Sequence, residues 1–176
     1  MIVSFINSAL PWLVLMGQII IVGLLLSFII KNEKLNQWLG SKTLLFSFIV
    51  ALMATSGSLF YSEIMGYDPC KLCWFQRIFM YPQVILWGLA LIKKDQKIVD
   101  YGLTLSILGA LIAAYHYLLQ IGLAPSIDCG AVGYAAQCSH RFVMEFGYIT
   151  IPLMALTAFV MIILFALNQK SSAKNR

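Results

Sequence analysis

Long apolar runs alternate along this chain with short polar breaks, and the pattern predicts five membrane-spanning helices. Pro11 to Ile30 is a long apolar stretch, enough to cross a hydrocarbon layer of about 30 Å. A second span is expected from Thr43 to about Ser62, a third from about Cys73 to Ile92, a fourth from about Ile98 to Gln120 and a fifth from Tyr148 to about Leu167. Pro82 lies inside the third and predicts a kink, whereas Pro152 falls in the first turn of the fifth, where proline is tolerated. Thr55-Ser56-Gly57-Ser58 makes one half of the second span small and suited to close helix packing. Gly122, Pro125, Gly130 and Gly133 argue against a continuous helix in the longest connection, 121–147.

Composition turns this pattern into a class. The chain is 61% hydrophobic and only 11% charged, against roughly 25% charged in an average soluble domain. A soluble fold could not cover that much apolar surface. The net charge of +5 does not point to nucleic acid, because the basic residues cluster in short loops between apolar runs. Lys31, Lys34, Lys42, Lys93, Lys94, Lys97, Lys170, Lys174 and Arg176 fall on one side of the predicted topology, and Lys71, Arg77 and Arg141 on the other. Nine against three predicts that the first side is cytoplasmic. The first run lacks a positive leading region and a small-residue cleavage site, so it reads as a span rather than a signal peptide. The expected fold is an all-α membrane protein, a four-helix transmembrane bundle with one extra N-terminal transmembrane helix. Residues 1–42 would hold the extra helix and a cytoplasmic loop, 43–168 the bundle, and 169–176 a basic cytoplasmic tail. The N-terminus and all four cysteines would face outward.

The cysteines form two pairs, Cys70/Cys73 and Cys129/Cys138, both in connections on that outer side. In a bacterium the outer side is oxidising, so disulfides form and persist there. Cys70-Lys71-Leu72-Cys73 stands directly before an apolar run, with Arg77 four residues after Cys73. A helix starting here puts Cys73 near its positive end, which favours thiolate, and Arg77 on the same face. A long, glycine-rich loop can carry Cys129/Cys138 to a partner and back, while Cys70/Cys73 stays pinned to a helix end. Electrons reaching Cys70/Cys73 need a sink, and the sequence carries no haem, flavin or iron–sulfur signature. Membrane burial and Arg77 point to a lipid-dissolved quinone, either ubiquinone or menaquinone, because a cation stabilises both a thiolate and a reduced quinone oxygen. Four cysteines allow three pairings, which spacing leaves open.

These residues resemble the DsbB family of quinone-dependent disulfide-generating membrane proteins, nearest its shorter-loop BdbC branch. The resemblance covers about residues 43–168. It is carried by Ser58-Leu59-Phe60-Tyr61-Ser62-Glu63, by the run from Pro69-Cys70-Lys71-Leu72-Cys73-Trp74-Phe75-Gln76-Arg77 to Pro82, by His116-Tyr117-Leu118-Leu119-Gln120, and by Phe146-Gly147-Tyr148-Ile149-Thr150-Ile151-Pro152. It implies that Cys73 faces the quinone, that Cys70 is its exchange partner, and that Arg77 and His116 lie near the quinone. It implies that Cys129 forms a mixed disulfide with a soluble, DsbA-like thioredoxin-fold oxidase, and that Cys138 then exchanges with Cys70. The implied setting is the bacterial inner membrane, with electrons passing to the quinone pool and respiratory chain. The span 11–30 has no counterpart in the family's four-span plan, and Gln76 stands where the long-loop branch carries an acid.

Blander readings compete with each motif. Cys70/Cys73 also suits an inert disulfide or half of a zinc site completed by Cys129, Cys138, His116 or His140, but zinc needs no arginine at i+4; no metal is expected. Arg77 alone would read as snorkelling to headgroups, and His116 as a satisfied interfacial histidine. Trp74, Tyr115, Tyr117 and Tyr148 read as an aromatic belt. At the level of the whole protein, the alternatives are a vitamin-K-epoxide-reductase-like quinone reductase and a non-catalytic membrane scaffold with structural disulfides.

Overall fold

The computed structural model describes residues 2–30, 33–125 and 138–174. Among them are six α-helices and no strand: α1 (Ile2–Ile30), α2 (Glu33–Ser41), α3 (Thr43–Leu59), α4 (Lys71–Lys93), α5 (Ile98–Gln120) and α6 (Ile151–Lys174). A π-helical turn, Phe60–Ile64, extends α3. Five helices are long and apolar enough to cross a membrane: Ile6–Ile30, Thr43–Ile64, Lys71–Lys93, Ile98–Gln120 and Ile151–Ser172. The protein is an all-α, multi-pass membrane protein.

The largest differences from the sequence expectation fall at three places. α1 begins at Ile2 rather than at Pro11, which lies inside the helix; the preceding residues are uncharged and continue the apolar run. The segment 31–42, expected as a loop, contains α2, an amphipathic helix that turns Leu39 inward and leaves Trp38 exposed. It is only nine residues long, too short to show as an apolar run. α6 continues through the expected basic tail to Lys174, and within it the Lys170 ammonium lies 2.7 Å from the Asp100 carboxylate.

α6 is the hub, packed against α1, α2, α3 and α5, while α4 closes the bundle between α3 and α5. Close approach depends on absent side chains. A Cβ on Gly109 would stand 2.3 Å from the Phe159 ring, and one on Gly102 would stand 2.2 Å from Trp87. Both aromatic rings are fully buried. In α4 the buried positions are Gln76, Met80, Gln83, Trp87 and Ala90, one face at helical spacing. Two of these are glutamines, and each must find partners away from water. Gln83 Oε1 accepts from Trp87 Nε1 and Ser106 Oγ, both at 3.0 Å, while its Nε2 donates to the Phe79 carbonyl. That network ties α4 to α5.

A tight turn prepares the start of α6. Phe146 and Gly147 both have positive φ, and the Glu145 and Ile149 backbones exchange two hydrogen bonds across it. This is the turn type whose two central residues are left-handed, and glycine removes the strain at the second of them. Phe146 then meets the Trp12 ring of α1 edge-on at 5.2 Å.

Candidate active site: a dithiol between a buried histidine and an apolar cleft

Cys70 is the N-cap of α4, with extended backbone, and Cys73 lies in the first turn. Both sulfurs therefore sit at the positive end of a long helix, three residues apart on one face. They are free thiols 3.4 Å apart. Cys70 is 3% exposed. Its Sγ lies 3.7 Å from His116 Nε2 of α5. His116, itself 1% exposed, receives a 2.9 Å hydrogen bond from Gln76 Nε2 at Nδ1. An amide donor at Nδ1 leaves the hydrogen on Nε2, which then donates to the Cys138 carbonyl at 3.0 Å and toward Cys70 Sγ. One imidazole thus ties the first cysteine pair to the loop bearing the second.

The hydrogen bond with Cys73 holds the Cys70 thiol well below its ordinary value; burial opposes this, and the hydrogen bond from His116 adds to it. Sequence reasoning placed the favoured thiolate on Cys73 beside Arg77. The geometry favours Cys70 instead, because two adjacent thiols share one proton and Cys70 has both hydrogen-bond donors.

Arg77 faces the other way. Its Nε donates to Ser58 Oγ at 3.1 Å and its Nη2 to the Ser58 carbonyl at 3.2 Å. The guanidinium also lies 5.2 Å from the Trp74 ring centroid and 5.8 Å from that of Tyr81. Arg77 and Cys73 border a large apolar cleft of about 1040 Å³, walled by α1, α3, α4 and α6. Tyr61 is part of the same wall, and its buried hydroxyl has no hydrogen-bond partner among the described residues. His116 does not line this cleft. With Cys70, Cys73 and Gln120 it borders a separate cavity of about 20 Å³, room for one water molecule. Gln120 Oε1 is buried there without a partner among the described residues.

Cys138 is 2% exposed and disulfide-bonded. Cys129, the remaining expected site residue, lies outside the described residues. Among the described residues, Cys70, Cys73 and His116 place three potential metal-donor atoms within 4.8 Å of one another. Sequence reasoning missed Gln76 as the partner of His116. Its signal was a polar residue inside an apolar span, seven positions before Gln83 and hence on the same face.

A free dithiol at the end of a membrane-spanning helix lies packed against a disulfide-bonded cysteine from another loop, an arrangement able to support thiol–disulfide chemistry in a membrane protein. A family model described as "Disulfide bond formation protein DsbB" matches residues 40–169, and the chain belongs to that family. It is similar to the "Disulfide bond formation protein C" of Bacillus subtilis, 43% identical over 124 residues, which cover 68% of this chain and 86% of that protein. It is also similar to the "Probable disulfide formation protein C" of Halalkalibacterium halodurans, 40% identical over 143 residues, or 78% of this chain and 93% of the other. A third relative, the "Probable disulfide formation protein C 1" of Bacillus anthracis, is 46% identical over 112 residues, 64% of this chain and 80% of that one. No solved structure matches. Membership implies an oxidoreductase that forms disulfide bonds.

Proposed function

We propose that this protein is a membrane thiol:quinone oxidoreductase that reoxidises a soluble thioredoxin-fold dithiol oxidase outside the bacterial inner membrane. One observation carries the reading: the dithiol has two faces, with Cys70 turned to His116 and the Cys138 carbonyl and Cys73 turned to the apolar cleft beside Arg77. The nine-to-three bias of basic residues supports the outward placing of that end.

In the proposed cycle, a thiolate of the soluble oxidase attacks the disulfide of the Cys129/Cys138 pair, and the oxidase leaves with its own disulfide closed. The thiols left behind exchange with a Cys70–Cys73 disulfide, and Cys70 leaves as the thiolate that Cys73 and His116 stabilise. The free dithiol at Cys70/Cys73, beside a disulfide-bonded Cys138, is the state this exchange produces. The cleft fits a quinone in its apolar walls, in the cation at its sulfur end and in the unpartnered Tyr61 hydroxyl. A quinone bound there would supply the sink for the two electrons and two protons released as the Cys70–Cys73 bond closes. Arg77, held by Ser58, presents fixed positive charge where an acceptor oxygen gains electrons. His116 and the small cavity beside Gln120 give the leaving proton a polar place near Cys70.

The test is purified, prereduced protein mixed anaerobically with ubiquinone or menaquinone analogues, with the thiol state of each cysteine followed by mass spectrometry. Stoichiometric oxidation of Cys70 and Cys73, one quinone per disulfide, is expected. Thiols that persist in excess quinone overturn the reading.

A further inference from the structure

The family match begins at residue 40, yet the wall of the cleft does not. α1 supplies Val14, Gly17, Ile20 and Leu24 to it. α1 is seated on α6, not on α3. A Cβ on Gly17 would already be 3.1 Å from Met161 and Thr157, so the two helix backbones lie close. Tyr148 Oη donates to Gln18 Oε1 at 2.8 Å and anchors the middle of α1. Toward α3 the helices are apart along the cleft, with Leu10 approaching Gly57. The α1 lining runs from Ile6 to Leu24, about 27 Å at the helical rise, close to the thickness of the hydrocarbon layer. Cys73 and Arg77 mark the sulfur end, and Leu24, Leu39 and Phe165 line the cleft toward the opposite end.

We propose that α1 is an added wall that turns the acceptor site into a channel for an isoprenoid tail, holding it between α1, α3 and α6 from the dithiol toward the opposite membrane face. The inference rests on the quinone reading. It commits to the tail of the acceptor because the cleft is continuous with Cys73 and Arg77, has apolar walls over its length, and lies where α1 and α3 do not pack closely on one another. A tail entering from lipid leaves an apolar medium for an apolar medium, so packing rather than water release sets its affinity. Shape then matters more than area.

The test uses the full chain in nanodiscs and a geranylgeranyl-tailed benzoquinone with a diazirine at the far end of its tail. After photolysis, mass spectrometry should place the label on Leu24, Leu39 or Phe165, and unlabelled menaquinone should compete it away. Ile20→Trp, which fills the channel, should cut that labelling on the order of fivefold, as expected for lost packing contacts. Ile19→Trp on the lipid side of α1 should leave it unchanged. Oxidation of Cys70/Cys73 by a tail-less quinone should be the same in Ile19→Trp as in the parent, and both variants should keep the parent's thermal midpoint, which checks that they fold. Label spread over lipid-facing residues such as Ile19 and Ile29, or competed equally by a phospholipid, overturns the channel. Quinone reduction with label on the lipid face would sink the channel and leave the acceptor reading standing. Channel labelling without quinone reduction would do the reverse.

Discussion

His116 touches three groups at once, so its removal has a magnitude that can be worked out. In His116→Ala, Cys70 loses a hydrogen bond of 3.7 Å. A hydrogen bond to a charged group contributes about 1.5–3 kcal/mol, and this one lies at the long end for sulfur, so the lower figure applies. At about 1.4 kcal/mol per pKa unit, the Cys70 midpoint should rise by about one unit. The sign follows from an acid whose folded value is depressed: the thiolate persists below the ordinary midpoint of about 8.5 and is lost as pH falls through the folded value. Removing a stabilising donor moves that loss to higher pH. Cys73→Ala should raise the midpoint further than His116→Ala does, because the hydrogen bond with Cys73 is the larger cause of the depression. The assay is a pH titration of ultraviolet thiolate absorbance on prereduced protein, with Cys70 assigned by mass spectrometry of trapped thiols. The reasoning is refuted if His116→Ala leaves the Cys70 midpoint where it was, or if Cys73→Ala shifts it less.

Arg77→Met should raise the KM for quinone by about tenfold, the value of one charged hydrogen bond, while exchange with a reduced soluble oxidase proceeds at its normal rate in single-turnover mixing. Tyr61→Phe should leave the thermal midpoint unchanged or higher, because the lost hydroxyl is buried without a partner among the described residues, yet raise that same KM severalfold if the hydroxyl binds the acceptor. Gly109→Ala should lower stability by about 1–3 kcal/mol through overpacking against Phe159, whereas Gly23→Ala, with nothing within 4 Å of the new Cβ, should be neutral in the same thermal melt. Gln83→Leu should cost about 1–3 kcal/mol in that melt because it leaves Trp87 Nε1 and Ser106 Oγ without their acceptor.

The spans were legible because a bilayer demands a length and a composition that few other structures need. Ile98–Gln120 matches its predicted limits, and α4 differs from expectation by two residues at its start. α2 was illegible for the converse reason: its apolar side is Leu39 with a few neighbours, and its lysine looks like a loop charge. The nearness of Cys70 to Cys73 could be read from spacing, since i and i+3 share a helix face, whereas which cysteines are bonded could not. The position of His116 against Cys70 could not, because it depends on how α5 is rotated against α4. That rotation is set by packing, through Gly102 under Trp87 and the Gln83–Ser106 bond, which no local pattern encodes. The division of Arg77 and His116 between two cavities has the same origin. A resemblance could put both near the acceptor, but the geometry puts one on each side of the dithiol.

That division bears on how a small bundle could keep its two exchange reactions in order. Thiol–disulfide exchange needs an attacking sulfur in line with the bond it breaks, and an acceptor in the cleft needs access to a sulfur as well. If both reactants approached from one side they would compete. Here α4 places Cys70 at its cap and Cys73 in its first turn, so a partner thiol can reach Cys70 from the loop side while Cys73 stays at the cleft. The sulfurs are already 3.4 Å apart, and a disulfide needs about 2.0 Å, so closure takes a side-chain rotation rather than a movement of the helix. In the proposed cycle His116 would add the ordering element. Its Nε2 is held between Cys70 Sγ and the Cys138 carbonyl, so the Cys138 segment is kept near Cys70 by the same hydrogen that favours the thiolate. In that cycle, departure of the segment would free the hydrogen for Cys70 alone and strengthen the thiolate when the dithiol has only the cleft left to react with.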